Sequence, residues 1–465
     1  MWFLLYTHVC RSYSVTRSYM STSSFPKVVC KRTRQSRSFR EGNPLVFSGA
    51  IAYTQSTEKE ELPLGCLVSV HVQMDKEGKK EGREYPHMTT EVGDNTQLIG
   101  WGVYNPHSMY RVRILCHATN YPSLMKILAN YKEEGEVLRS ILETLLKSSL
   151  ATRRALNLPS SDTDTYRLVN GEGDGLSGLA VDIIGGSVAV VMSSAAWCQV
   201  HKSLIEEILQ SQLNLDIIWK TTPGRLQQDG MELVEDSHEN NEDTTMVVAT
   251  ESGIQYATFP YMRGQKTGVY CDQRENRYQL AQYCGGKRVL DLCCYHGGFS
   301  LNAAIHGRAQ QCTGVDSSQD AIDISKANSE RNKCNNVEFV RQDISQFMKQ
   351  AYEEGGEYDV IVLDPPKLAP SISGLYRASR KYHGLNRDAI KLMNKKEGGL
   401  LLTCTCSAAM TQQDGLFLQT IQQAAIAAGR RITLLRVCGA ASCHTQNPAS
   451  KGSYLTAALF HVSPM

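Results

Sequence analysis

The first forty residues contain no aspartate or glutamate, although the chain carries 47 acids. They hold eight Lys or Arg and eight Ser, and the first acid is Glu41. An acid-free, Arg- and Ser-rich start is the pattern of an organelle transit peptide, for mitochondrion or chloroplast, removed after import. The plainer alternative is a disordered basic tail, which would leave the protein in the cytoplasm. The apolar stretch 2–6 is too short for a secretory signal. No run of roughly eighteen apolar residues occurs anywhere, which excludes a membrane-spanning helix. The 15 cysteines are scattered and lack paired CxxC or CxxC…HxxxH spacing, so no metal site and no disulfide scaffold is expected. A net charge of only +2 excludes a wholesale basic coat, so any nucleic-acid contact must be a local patch. The GxGxxG fingerprint of dinucleotide enzymes is missing as well.

What is present suggests about three domains, at ~150 residues each. Residues 44–52, 65–72, 98–104 and 110–115 read as short strands of a small β-barrel spanning 41–118, with a charged insertion at 73–96. Leu138, Ile141, Leu142, Leu145 and Leu146 recur at helical spacing within a connector covering 119–164. An α+β middle domain follows over 165–258. It comprises a glycine-turned hairpin at 166–182, a strand at 187–193, a helix at 200–209 and an acidic loop at 234–245. From 259 to 465 strands and helices alternate, with strands at 287–294, 311–316, 337–343, 358–364, 399–407, 432–437 and 454–462. That alternation predicts a doubly wound, mostly parallel α/β sheet. The last two strands have no helix between them, so that edge should be antiparallel.

Ligands of such sheets bind at the carboxyl ends of the strands. The first strand runs into Cys294, Tyr295, His296, Gly297, Gly298 and Phe299, where glycines allow close backbone approach to a ligand. Asp316 ends the next strand, where a carboxylate accepts ribose hydroxyls; Asp343 ends the third and suits an adenine amino group. Each alone is more often a helix cap, and three such aspartates in register favour the ligand reading. Asp364-Pro365-Pro366-Lys367 ends the fourth strand, and its prolines stiffen the backbone and remove competing N–H donors. The fifth strand ends in Cys404-Thr405-Cys406-Ser407, with both thiols on one face. Two small buried residues is the bland reading. Beside Asp364, a nucleophile reads better, and Cys406 lies nearer the end. Lys367, Arg377, Arg380, Lys381, Tyr382, His383 and Arg387 form a dense basic cluster, either a solvated helix face or a phosphate contact next to a base pocket.

Together, Asp272-Gln273-Arg274, the 294–299 segment, Asp316, Asp343, the Asp-Pro-Pro-Lys and Thr405-Cys406-Ser407 resemble the ribosomal RNA large subunit methyltransferase I family. The resemblance extends upstream, where 44–52 looks like the start of a PUA domain and 166–182 like the family's middle domain. It implies a Rossmann-like class I methyltransferase domain with a seven-stranded sheet, preceded by a PUA-like barrel and the middle domain. It further implies S-adenosylmethionine as cofactor and large-subunit rRNA as partner, and leaves monomer and homodimer open. The segment 264–268 with Tyr270, Asp272, Gln273 and Arg274 would border the cofactor, and residues 294–299 would form its methionine-side loop. Asp316 would hold the ribose and Asp343 the adenine. Asp364 would face both cofactor and target base, and Cys406 would be the nucleophile for 5-methylcytosine formation. Asp291, and Ser442-Cys443-His444 in place of an Asp-His-Pro turn, depart from the family pattern. The rivals are an N-methyltransferase of the same fold and a non-catalytic ribosome-assembly factor.

Overall fold

The computed structural model describes residues 25–55, 61–74, 96–128, 133–232, 244–262, 269–450 and 452–465. Residues 1–24, the 264–268 segment and most of the 73–96 and 234–245 stretches lie outside the described residues.

The N-terminal unit is one six-stranded sheet. In spatial order its strands are Leu45–Phe47, Tyr110–His117, Thr96–Tyr104, Leu67–Gln73, Lys27–Cys30 and Ile51–Gln55. The two edge strands are joined only by the turn Ser48–Ala50, so the sheet must curl round to bring its edges together. Val28, Cys30, Val46, Val68, Val70, Ile99, Val112 and Ile114 fill its interior. The domain boundary expected at residue 40 therefore moves. Lys27–Cys30 pairs in parallel with Ser69–Val72 and antiparallel with the strand Ile51–Gln55, and it is buried. A helix follows at Arg34–Arg40, opened by a Thr33–Ser36 capping box. Charge counting hid this strand, because three apolar residues between basic neighbours weigh little in a composition yet fill a whole strand.

The helix Glu134–Ala155 lays the expected apolar face, Leu138 to Leu146, over a second sheet. That sheet contains the expected hairpin, with Tyr166 opposite Ile183, and the strand Val188–Ser193. Two features were not foreseen. The strand Asp216–Thr221 pairs in parallel with Val188–Ser193 after the helix Lys202–Leu213. A separate hairpin, Val247–Glu251 with Ile254–Thr258, bridges toward the last domain.

The last domain is built on a seven-stranded sheet: β1 Arg288–Leu292, β2 Gln311–Asp316, β3 Val337–Arg341, β4 Val360–Leu363, β5 Gly399–Thr405, β6 Ile432–Cys438 and β7 Thr456–Val462. Their spatial order is β3-β2-β1-β4-β5-β7-β6. Strands β1 to β5 are parallel, and β7 and β6 close the sheet antiparallel as expected. The order reverses between β1 and β4, and a crevice opens at the carboxyl ends there.

The bridging hairpin is locked to this domain by Arg277, which donates to Glu251 at 2.9 and 2.6 Å with both side chains almost wholly buried. Removing one member of such a pair strands an uncompensated charge. Glu251→Ala is expected to cost ~3–5 kcal/mol, read as a lowered urea midpoint; an unchanged midpoint would show that the pair contributes nothing.

Candidate active site

A cleft of about 2540 Å³ runs along the carboxyl ends of the catalytic sheet and is walled by all three units. Its floor is set by strand pairing. Leu363, the last residue of β4, lies opposite Thr403 on β5. Asp364 follows Leu363 directly, and Cys406 lies three residues beyond Thr403; both line the cleft. Thr403, Cys404, Thr405 and Ser407 are wholly buried, whereas Cys406 is partly exposed. Burial raises the Cys404 thiol well above its ordinary range. The Thr-Cys-Thr-Cys-Ser run thus presents one sulfur to the cleft and hides the other.

Asp364 accepts a hydrogen bond from Gln273 Nε2 at 3.1 Å. Gln273 is held in turn by Asn276, whose Nδ2 donates to Gln273 Oε1 at 2.7 Å and to the Gly439 carbonyl at 3.0 Å. Burial, and then the neighbouring Asp272 carboxylate, push the Asp364 carboxyl up to about 7. Asp272 accepts from the Tyr454 hydroxyl at 2.7 Å. Its other oxygen, Oδ1, is buried and has no partner among the described residues.

On the other side of β4, the turn after β1 is tightly wound. Cys293, Tyr295 and Gly297 have φ of +67°, +49° and +82°, and a side chain on Gly297 would meet Phe339 at 2.7 Å. Left-handed backbone at non-glycine residues is costly and persists where the surroundings enforce it. The result is that the Tyr295 N–H meets Asp316 Oδ2 at 3.1 Å, while Asp316 Oδ1 accepts from Ser318 N at 3.0 Å. Tyr295 and Tyr270 meet edge to face at 5.0 Å.

All the expected cofactor residues but Arg274 divide into two groups. Tyr270, Asp272, Gln273, Tyr295, Asp316, Asp343 and Asp364 line the cleft. Asp343 does so while capping the helix Ile344–Glu353 through Ser345 N and Gln346 N. Cys294, His296, Gly297, Gly298 and Phe299 lie behind the turn, buried. His296 packs against Tyr256 and Tyr295, and burial pulls it down to about 3, so it is neutral. Arg274 turns away toward Cys443 Sγ at 3.5 Å and Glu275.

Of the expected RNA contacts, Lys367 and Lys381 are exposed at the cleft. Arg377 and Arg380 are exposed on the helix Leu375–Lys391, and Arg387 pairs with Asp388 at 2.8 Å. Tyr382 is a correction. It is 0% exposed, packs edge-on against Phe417, and bonds Thr405 Oγ1 at 2.8 Å. It sits on the inner face of the helix whose outer face carries the cations, so it cannot touch RNA.

Sequence reasoning missed Cys293, Asn276 and Tyr454. Cys293 lines the cleft beside Tyr295. Asn276 carried a signal, three residues from Gln273 on one helical turn. Tyr454 carried none, since 182 residues separate it from Asp272. The variant turn at 442–444 proves to be a fastening. Ala441 N donates to the Asp272 carbonyl, Arg153 to the Cys443 carbonyl at 2.7 Å, and Asn170 to the Thr445 carbonyl at 2.8 Å. Asp291, the other departure, is buried beneath the turn after β1 and accepts from Ser300 N and Oγ.

Comparison with solved structures places this architecture. A methyltransferase crystallised with SAH matches with a TM-score of 0.69 at 21% identity, covering 94% of this chain and 99% of that one. A SAM-dependent methyltransferase from Streptococcus mutans gives 0.67 at 20%, again covering 94% and 99%. A family profile described as a methyltransferase domain matches residues 285–442. The fold is that of a class I methyltransferase. A protein named ribosomal RNA large subunit methyltransferase I from Klebsiella pneumoniae is 30% identical over 429 residues, 91% of this chain and 95% of its own. The one from Photobacterium profundum is 31% identical over 371 residues, 79% and 88%. The chain belongs to the ribosomal RNA large subunit methyltransferase I family.

The raised Asp364 carboxyl has a measurable consequence. Folded Asp364 holds its proton more tightly than the unfolded chain does, so its contribution to stability falls as pH rises from the ordinary carboxylate range through about 7. Infrared titration should find a buried carboxyl band fading near pH 7 that is absent in Asp364→Asn. Asp272→Asn should shift that band's midpoint downward; a carboxyl fully ionised at pH 5 would contradict this electrostatic picture.

Proposed function

We propose that this chain is an RNA methyltransferase that forms 5-methylcytosine in large-subunit rRNA through a covalent Cys406 adduct. S-adenosylmethionine is its methyl donor. The residues at the cleft fit that cofactor. Asp316 lines the cleft at the end of β2, and Asp272 Oδ1, which has no partner among the described residues, suits the ammonium of a methionine moiety. When bound, S-adenosylmethionine supplies an electrophilic methyl group on a sulfonium.

The observation that carries the reading is the pairing of functions in one cleft. A partly exposed thiol and a carboxyl still half protonated near neutral pH sit at the ends of adjacent strands. Carbon 5 of cytosine is too weak a nucleophile to accept a methyl group unaided. Addition of the Cys406 thiolate to carbon 6 forms an S–C bond and moves the ring's electron pair toward carbon 5. Asp364 delivers its proton to N3 as charge develops there. Carbon 5 would then take the methyl group as its bond to the sulfonium breaks, the donor leaving as a neutral thioether. Loss of its hydrogen as a proton, and return of the N3 proton to Asp364, re-form the C5–C6 double bond and expel the thiolate. Cys404, a neutral thiol under burial, is unsuited to remove the carbon 5 proton, which points to a water molecule. Lys367 and Lys381 at the cleft, with Arg377 and Arg380 exposed on the helix that carries Lys381, supply phosphate contacts, and the target base must be unstacked to reach the floor. The acid-free start of residues 1–40 supports an import leader and with it a mitochondrial or chloroplast location; a leader that does not function would leave the enzyme in the cytoplasm.

Cys406→Ala should lose methylation by at least about a thousandfold while binding S-adenosylmethionine as the parent does, measured by tritium transfer and by calorimetry. Retained turnover would refute the nucleophile. Mass spectrometry of the product nucleoside separates carbon from nitrogen methylation.

A further inference from the structure

The segment that carries Cys406 is pinned on both flanks by wholly buried hydroxyls. Thr405 Oγ1 meets the Tyr382 hydroxyl at 2.8 Å and accepts from the Ser407 N–H at 3.3 Å. Ser407 Oγ accepts from the Ala369 N–H at 3.1 Å, in the loop that follows Asp364-Pro-Pro-Lys. Ser407 opens the short helix Ala408–Thr411, yet its hydroxyl makes no cap bond there. Its oxygen is committed to the neighbouring loop instead. Thr405, Ser407 and Tyr382 are all 0% exposed, so water cannot substitute for these bonds. The Tyr382 ring is fixed in turn, edge-on to Phe417 with centroids 5.3 Å apart. The helix Leu375–Lys391 therefore presents Arg377, Arg380 and Lys381 outward and holds the cysteine segment from its inner face.

We propose that Tyr382 is the positioning residue for Cys406: its hydroxyl, through Thr405, fixes where the thiol stands relative to the base held at Asp364. This rests on the reading of Cys406 as the nucleophile. A buried hydrogen bond between two side chains has one donor and one acceptor whose loss leaves the other unpaired. Here the bond lost is made by the residue next to Cys406, and displacement of a reacting group by about 1 Å can cost on the order of a hundredfold in rate.

The test compares Tyr382→Phe, Thr405→Val and Thr405→Ser with Cys406→Ala in the full chain. Tyr382→Phe keeps the ring and its packing and removes one oxygen. It should lower kcat about ten- to a hundredfold, with KM for RNA and for S-adenosylmethionine within about twofold and little change in Tm. Thr405→Val attacks the same bond from the other side. The double variant with Tyr382→Phe should be no slower than the slower single one, and Thr405→Ser should recover most of the turnover that Thr405→Val loses. If Tyr382→Phe fails to fold, the Thr405 pair carries the comparison alone. Parent-like kcat in both Tyr382→Phe and Thr405→Val, with Cys406→Ala inactive, overturns the positioning role and leaves the nucleophile standing. Full turnover in Cys406→Ala overturns both. A fall in Tm that accounts for the lost activity also overturns it, since a purely structural role would give that result.

Discussion

The parallel pairing of β4 with β5 is the constraint on which the site depends. Those strands end side by side, so the residues beyond their last ladder positions, Asp364 and Cys406, line one crevice. β4 delivers a carboxylate there and β5 delivers a thiol. Neither strand could slip without losing its buried side chains, because β4 and the core of β5 are apolar and covered on both faces. The register that packs the core is thus also the register that brings both side chains to the cleft.

Electrostatics then divides the labour among groups of one type. Asp316 and Asp343 each accept backbone N–H groups and stand at the mouth of the crevice. Asp364 lies beside Asp272 and, among the described residues, has only the Gln273 amide as a hydrogen-bond partner, so its charged form is disfavoured. The cysteines divide in the same way. Burial keeps Cys404 protonated, and Cys406 is the one of that pair reaching the cleft. Environment, more than residue type, decides which group holds a proton at neutral pH.

The catalytic domain was legible in the sequence because its signals are local. Apolar runs marked the strands, and chemistry-bearing residues stood where the runs stopped. The Asp-Pro-Pro-Lys and Thr-Cys-Ser motifs could be placed on adjacent strands from the β/α alternation alone. The unread parts depend on contacts distant in sequence. Lys27–Cys30 looked like part of a basic tail because its partners lie 21 to 42 residues further on. Tyr382 looked like a nucleic-acid contact because it sits among cations; only the phase of its helix, which turns it inward while Arg380 and Lys381 turn out, distinguishes the two. Helical spacing could have raised that doubt, since Ala378, Leu385 and Ala389 share the buried face. The fastening of the 441–445 turn to Arg153, Asn170 and Asp272 had no sequence signal at all.

The central claim is tested most directly by trapping. An RNA substrate carrying 5-fluorocytosine at the target position cannot release the carbon 5 substituent as a proton, so the thiol–carbon 6 bond should persist. The account predicts a stable protein–RNA adduct that requires S-adenosylmethionine, with the cross-linked peptide mapping to Cys406. An adduct at another residue, or steady release of a methylated fluorinated product with no adduct, would contradict it.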